Sequence, residues 1–304
     1  MGKDSGVQWG IEERNFYSCG FWQGCRQISD GCKNCYAKAA LHRWLKDCFN
    51  EDQRKFRVEN AKRDLLTWDK AEAKAGTVGV VFINPQADMF EILPFGHRQY
   101  STMAQARKEA FETFDACRNL FFLLCTKRSK AMRVYMRNRR VMLPNVGLGI
   151  TVENADNLSR VEDLIKTECV FRFVSCEPLL GPLNFEQEQN GQGVGDFMIE
   201  NLDWVIVGGE SGPHARPTHP DWVRSIRDQC KEAGVPFIFK QWGHWGPWVE
   251  SAKYMRLLNR MTARQVLPAD GDVSRSVGMF PAGQKHSGRL LDGAEHMEIP
   301  EVLK

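Results

Sequence analysis

The chain has 304 residues, 42% hydrophobic and 26% charged, a balance that excludes a disordered or fibrous polypeptide. Its 41 basic and 38 acidic residues leave a formal charge of only +3, so any nucleic-acid contact has to come from a local patch and not from a global field. No apolar run approaches the length of a membrane span, and Met1-Gly2-Lys3-Asp4-Ser5-Gly6 carries neither a signal-peptide core nor a myristoylation pattern; ten cysteines in such a chain point to a reduced, cytoplasmic protein without a disulfide framework.

The first informative stretch is Gly24-Cys25-Arg26-Gln27-Ile28-Ser29-Asp30-Gly31-Cys32-Lys33-Asn34-Cys35-Tyr36-Ala37, a C-x6-C-x2-C array in a glycine-bearing loop. Residues 36 to 75 follow, rich in Ala, Lys, Arg, Leu and Glu, and predict one or two helices with a solvated basic face. A strand-helix rhythm then begins. Apolar runs at Val78–Asn84, Asn119–Cys125, Val146–Val152, Val170–Cys176, Trp204–Gly208 and Val235–Phe239 read as buried parallel strands, with helices expected over 98–117, 128–140, 154–167 and 220–233. That alternation predicts an α/β fold, an open doubly wound sheet or a full or partial (β/α) barrel of parallel strands. Asn184 through Glu200 reads as an inserted loop. Residues 1–243 are expected to form the α/β unit and 244–304 a C-terminal appendage packed on it.

Each strand is followed by polar residues: Asp88, then Thr126-Lys127-Arg128, Glu153-Asn154, Glu177-Pro178, Gly208-Gly209-Glu210 and Lys240-Gln241. In a barrel such positions converge on one mouth, where active sites lie. Any one of them alone is equally well a helix cap or a solvated charge. Their recurrence at one end of successive strands is what favours a site.

Thiolates bind soft metals, and a C-x2-C pair brings two sulfurs of one turn together. Three cysteine ligands on a four-iron four-sulfur (4Fe-4S) cluster leave one iron open to an outside molecule. The alternative is a structural zinc site, closed by a fourth ligand from Cys19 or His42. Tyr36, directly after the last cysteine, favours the cluster. Cys117, Cys125, Cys169, Cys176 and Cys230 fall in apolar or amphipathic segments and read as small core residues.

The ordered blocks Gly24–Ala37, Phe82-Ile83-Asn84 with Asp88-Met89-Phe90, Thr126-Lys127-Arg128, Gly149–Asn154, Ser175–Leu183, Val205–Gly212, Lys240–Gly243 and Gly288–Gly293 resemble the phage-type Gp37/Gp68 family, the three-Cys-motif proteins. That family in turn resembles the radical S-adenosylmethionine enzymes. The resemblance implies a cluster on Cys25, Cys32 and Cys35, and S-adenosylmethionine chelated at the open iron and split by one electron to a deoxyadenosyl radical. It also implies an electron donor as partner, and cofactor contacts from Gly149, Thr151, Glu153, Glu177, Gly208, Gly209 and Glu210. Two features depart from the superfamily pattern: its commonest cysteine spacing is x3, x2, and its Gly-Gly-Glu follows the second strand, whereas here Gly208-Gly209-Glu210 comes late.

For substrate, Asp88, Lys127, Arg128 and Lys240 are the strand-end candidates, the cations suited to phosphate or carboxylate. Lys130, Arg133, Arg137 and Arg140 share one helical face, either a phosphate-tracking surface or a solvated one. Trp242, Trp245 and Trp248 offer stacking surfaces or tail packing, the latter being the plainer expectation. The expected activity is radical modification or repair of a nucleic-acid base or nucleotide, with phage thymidine hypermodification as one target. The competing expectation is a zinc or iron-sulfur protein that binds nucleic acid or a partner without catalysis.

Overall fold

The computed structural model describes residues 9, 14–41, 48–49, 53–139, 142–185, 198–212, 214–247, 263–284 and 286–304. His42, Arg140, Trp248, residues 1–6 and most of the expected insertion (186–197) lie outside the described residues.

Along the chain run β1 (Phe16–Cys19), β2 (Trp22–Gln23), α1 (Tyr36–Leu41), β3 (Lys55–Phe56), α2 (Val58–Ala75), β4 (Gly79–Ile83), α3 (Tyr100–Ala116), β5 (Leu120–Thr126), α4 (Ser129–Arg139) and β6 (Val146–Thr151). Then come α5 (Ser159–Ile165), β7 (Arg172–Cys176), β8 (Trp204–Gly208), α6 (Pro220–Ala233), β9 (Phe237–Gln241), β10 (Gly246–Pro247), β11 (Arg264–Val266) and β12 (Val277–Phe280). Seven strands pair in the order β1-β4-β5-β6-β7-β8-β9, every pair parallel. Each crossover steps to the next position in the same direction, so the sheet curls into a half-barrel instead of winding both ways from its centre.

Strand side chains alternate between two cores. The outward set joins the helices in one large apolar cluster, while Val80, Phe121, Leu123, Phe171, Phe173, Trp204, Ile206 and Ile238 fill the concave side with Trp9 and Leu303. Two inward positions on β6 are glycine because aromatic rings occupy their side-chain space. A Cβ on Gly149 would stand 2.3 Å from the Phe173 ring, and one on Gly147 2.8 Å from Phe171. Burying each such ring contributes about 2–3 kcal/mol. The aromatic fill occupies the lower part of the half-barrel, below the C-terminal ends of the strands.

Beyond β9 the C-terminal residues form a small appendage. β10, β12 and β11 make a small antiparallel sheet, and the tail returns along the free edge of β9, where the amide of Phe239 donates to the His296 carbonyl and that of Glu298 to the Phe237 carbonyl. Covering that edge removes an exposed row of backbone donors and acceptors.

Boundaries differ from expectation where the backbone chemistry intervenes. The last strand starts at Phe237 because Val235 still closes α6, donating to Cys230 beyond the left-handed Gly234 (φ 68°). The expected helix over 154–167 divides into a 3-10 turn (Ala155–Asn157) and α5. β1 was not anticipated from the sequence: four residues with alternating burial give a weak signal.

Candidate active site at the mouth of the half-barrel

The cysteine array crosses the C-terminal edge of the sheet. Its shape follows from local chemistry: Gly24 takes φ 90° and lies so close to Cys48 that a Cβ would fall 1.6 Å from the Cys48 carbonyl oxygen. A 3-10 turn over Asp30–Cys32 carries the second cysteine, and the amide of Cys35 reaches the Cys32 carbonyl at 3.4 Å just before α1 begins. Cys25, Cys32 and Cys35 are all half-buried free thiols on one cavity of about 510 Å³. Burial, reinforced by the Asp88 carboxylate, pushes the Cys25 thiol well above its ordinary value.

Three carboxylates fasten this loop to the sheet. On the first side, fully buried Glu91 accepts from both Arg54 Nε (2.6 Å) and Arg54 Nη2 (2.7 Å), and also from the amide of Arg26 (2.9 Å), next to Cys25. Asp88 pairs with Arg128 at 2.8 Å, and Arg128 Nη2 donates to the Arg26 carbonyl. In the middle, Glu153 accepts from Ser29 Oγ (2.6 Å) and Arg160 (2.7 Å), with Lys127 Nζ 3.5 Å away. On the far side, Glu210 accepts from Asn34 Nδ2 (3.1 Å) and from Arg216, whose Nη2 also donates to the Asp30 carbonyl. Burial raises the Glu210 carboxyl, but the Arg216 and Asn34 hydrogen bonds outweigh it and hold the group below the usual carboxylate range.

Facing the cysteines, Lys240 Nζ meets Glu177 Oε1 at 2.7 Å, while the other Glu177 oxygen accepts from Trp9 Nε1 (3.1 Å) and Ser175 Oγ (3.2 Å). Cys125 and Thr151, 3.5 Å apart at the ends of β5 and β6, line the wall between. Two buried polar atoms of cavity-lining residues, Asn84 Nδ2 and Gln241 Oε1, have no hydrogen-bond partner among the described residues. A bound polar group would supply what they lack.

The expected residues thus divide. Asp88, Lys127, Arg128, Thr151, Glu177, Gly209, Glu210 and Lys240 line the same cavity as the three cysteines. Glu153 is fully buried under the loop and acts on it, not on the cavity. Gly149 lies lower, against Phe173, and makes room for that ring instead of a cofactor. Gly208 and Gly209 admit close neighbours, Glu177 for the former and the Trp242 carbonyl, 2.0 Å from an added Cβ, for the latter. Asp88 and Arg128 spend their charges on each other and on the Cys25 loop. Trp242 and Trp245 are buried, their indole N–H groups donating to Leu290 and Ala215, so they pack the tail. Cys125, half-buried, packs against the concave core as expected and also lines the cavity.

Sequence reasoning missed Arg216, Asn34, Ser29 and Trp9. Only Asn34 and Ser29 carried a signal, their place inside the cysteine array. Of the two fourth ligands considered for the alternative zinc site, Cys19 is placed away from the loop, fully buried in β1 with Sγ 3.8 Å from the Ala61 carbonyl in the cluster on the helix side of the sheet, and His42 lies outside the described residues. Among the described residues no three His, Cys, Asp or Glu side chains gather to hold one metal ion. A four-iron cluster makes no such demand, because each thiolate sits on a different iron. Among the same residues, no helix is long and apolar enough to cross a membrane.

No curated protein and no solved structure matches the chain. One family does, over residues 13–300, which include the cysteine loop, the half-barrel and nearly all of the appendage. The chain belongs to that family, described as "Protein of unknown function (DUF5131)".

Proposed function

We propose that this protein is a radical S-adenosylmethionine-type iron-sulfur enzyme that modifies or repairs a nucleic-acid base or nucleotide, as its resemblance to the three-Cys-motif phage proteins implies. The observation that carries the reading is the meeting of Cys25, Cys32 and Cys35 with Glu177, Glu210 and Lys240 on one cavity at the C-terminal mouth of a parallel half-barrel. The donor set fits a 4Fe-4S cluster: three free thiols on one cavity, and Asn84 Nδ2 and Gln241 Oε1, on residues of the same wall, without a hydrogen-bond partner among the described residues. When bound, the cluster supplies one electron, from an external donor, to cleave the sulfonium of S-adenosylmethionine.

Everything else falls to the chain's own residues. Glu91, Glu153 and Glu210 hold the cysteine loop at three points, so its thiols are positioned before anything binds. Lys240 presents an ammonium to an anionic or carbonyl oxygen of the substrate, with Glu177 fixing its place and Trp9 fixing Glu177. The aromatic floor of Trp9, Phe173 and Trp204 keeps water from entering below. A reducing cytoplasm, the host's for a phage-encoded chain, keeps such thiols free for iron.

The test is anaerobic reconstitution followed by incubation with S-adenosylmethionine, a reductant and DNA, RNA or nucleosides. Release of 5′-deoxyadenosine with a mass change in one of the polynucleotides or nucleosides supports the proposal. Colourless, zinc-loaded protein that releases none contradicts it.

A further inference from the structure

The segment Ile92-Leu93-Pro94-Phe95-Gly96-His97 follows Glu91, three residues beyond Asp88, which lines the cavity together with Arg26. It is tightly held. Leu93 is buried, Arg26 Nη2 donates to the Ile92 carbonyl, Arg107 donates to the Met89 and Glu91 carbonyls, and Gln99 exchanges two hydrogen bonds with the Arg54 backbone. Between these anchors the amide of His97 donates to the Pro94 carbonyl at 3.0 Å, with Gly96 at φ 85°, the arrangement of a type II turn. Phe95 is thereby fixed at the tip with 93% of its surface exposed, and exposed Ile92 and Tyr100 stand beside it, the Tyr100 ring 5.8 Å away and edge-on.

A rigid turn that holds a bare phenyl ring in water forgoes the stabilisation that burying it would give. Scattered surface apolar residues need no explanation, but this one has basic company. Arg98 is exposed just after the turn, half-buried Arg26 underlies it, and exposed Lys130 stands on the first turn of α4, which Arg128 ties to the Arg26 carbonyl. α4 packs against the root of the segment through Tyr135, 6.0 Å from Phe90. The nearby carboxylates, Asp88 and Glu91, are buried and paired. An apolar wedge flanked by cations is the chemistry that parts stacked bases while holding phosphates. A base lying in a duplex must be taken out of the stack to reach an enclosed cavity.

We infer that Phe95 is a wedge that inserts into a stacked polynucleotide and helps turn one base into the cysteine-lined cavity, with Arg98 and Lys130 on the backbone. This rests on the nucleic-acid reading above and narrows it: the substrate is a polymer, not a free nucleotide.

The experiment uses as-isolated and iron-loaded protein with duplex DNA and duplex RNA, each carrying 2-aminopurine, whose fluorescence rises on unstacking. Wild type is expected to bind one of them and raise the signal. Phe95→Ala should lose about tenfold in affinity, as one lost base-aromatic stack implies, together with the fluorescence rise, and Phe95→Trp should restore both. The responding duplex identifies the polymer. Equal signals from wild type and Phe95→Ala overturn the inference. So does a wild type that binds neither duplex, the result expected if Phe95 instead serves a protein partner. Deoxyadenosine release without duplex binding overturns the wedge alone and leaves the radical reading intact; Phe95-dependent unstacking by protein that takes up no iron supports the wedge and overturns the radical reading.

Discussion

The carboxylate of Glu153 occupies the space where a side chain on Gly31 would begin: a Cβ there would lie 2.5 Å from Oε1 and 2.6 Å from Cγ. Glu153 is held from below by Arg160 and Lys127, so it has little freedom to withdraw. The residue before Cys32 therefore reports whether the loop must rest on the sheet for its thiols to serve.

Gly31→Ala is expected to lift the loop, at a cost of about 1–3 kcal/mol from overpacking. Iron uptake should fall while far-ultraviolet circular dichroism stays that of the wild type. Full iron occupancy in a stably folded Gly31→Ala protein would show that the contact with Glu153 does not set the cysteine geometry.

Lys240 tests the opposite wall. Its only described ion pair is with Glu177, which makes no described bond to the cysteine loop, so Lys240→Met should leave iron content unchanged. Loss of a charged hydrogen-bond donor to substrate is expected to lower deoxyadenosine release about tenfold to a hundredfold. Unaltered release would remove Lys240 from the binding surface.

His219 gives stability a pH dependence of definite sign. Its Nδ1 accepts from the Asp221 amide at the start of α6, which requires that nitrogen to be unprotonated, while Nε2 faces the Arg275 carbonyl at 3.2 Å. Burial holds its pKa below the ordinary 6.5. The unfolded chain takes up a proton as pH falls through 6.5 and the folded chain does so only lower, so this contribution is complete above pH 6.5 and is lost as pH falls towards the folded value. Urea midpoints measured from about pH 7 to about pH 5 should decline, and His219→Asn, which keeps a capping acceptor, should decline less steeply. Parallel slopes would contradict this assignment.

Legibility in the sequence followed the strength of local physics. β8 begins and ends where its apolar run does, and α6 lies between Pro220 and the left-handed Gly234, both strong boundary signals. Strand ends were readable as a mouth because period and polarity change together there. Gly149 was misread, since a glycine that admits a ligand and one that admits Phe173 look alike in one dimension. Arg216 left no trace: it lies in a loop without period, and its partners Glu210 and Asp30 are brought to it by the fold. The same holds for Trp9, whose bond to Glu177 spans 168 positions of sequence.

The central claim is that the three cysteines at the mouth bind one cluster together. Iron determination on anaerobically reconstituted wild type and on Cys25→Ala, Cys32→Ala and Cys35→Ala tests it most directly. The account predicts about four irons per chain in the wild type and loss of the cluster in each variant. Iron bound equally well by any one of the three variants, or a wild type that takes up none, would contradict it.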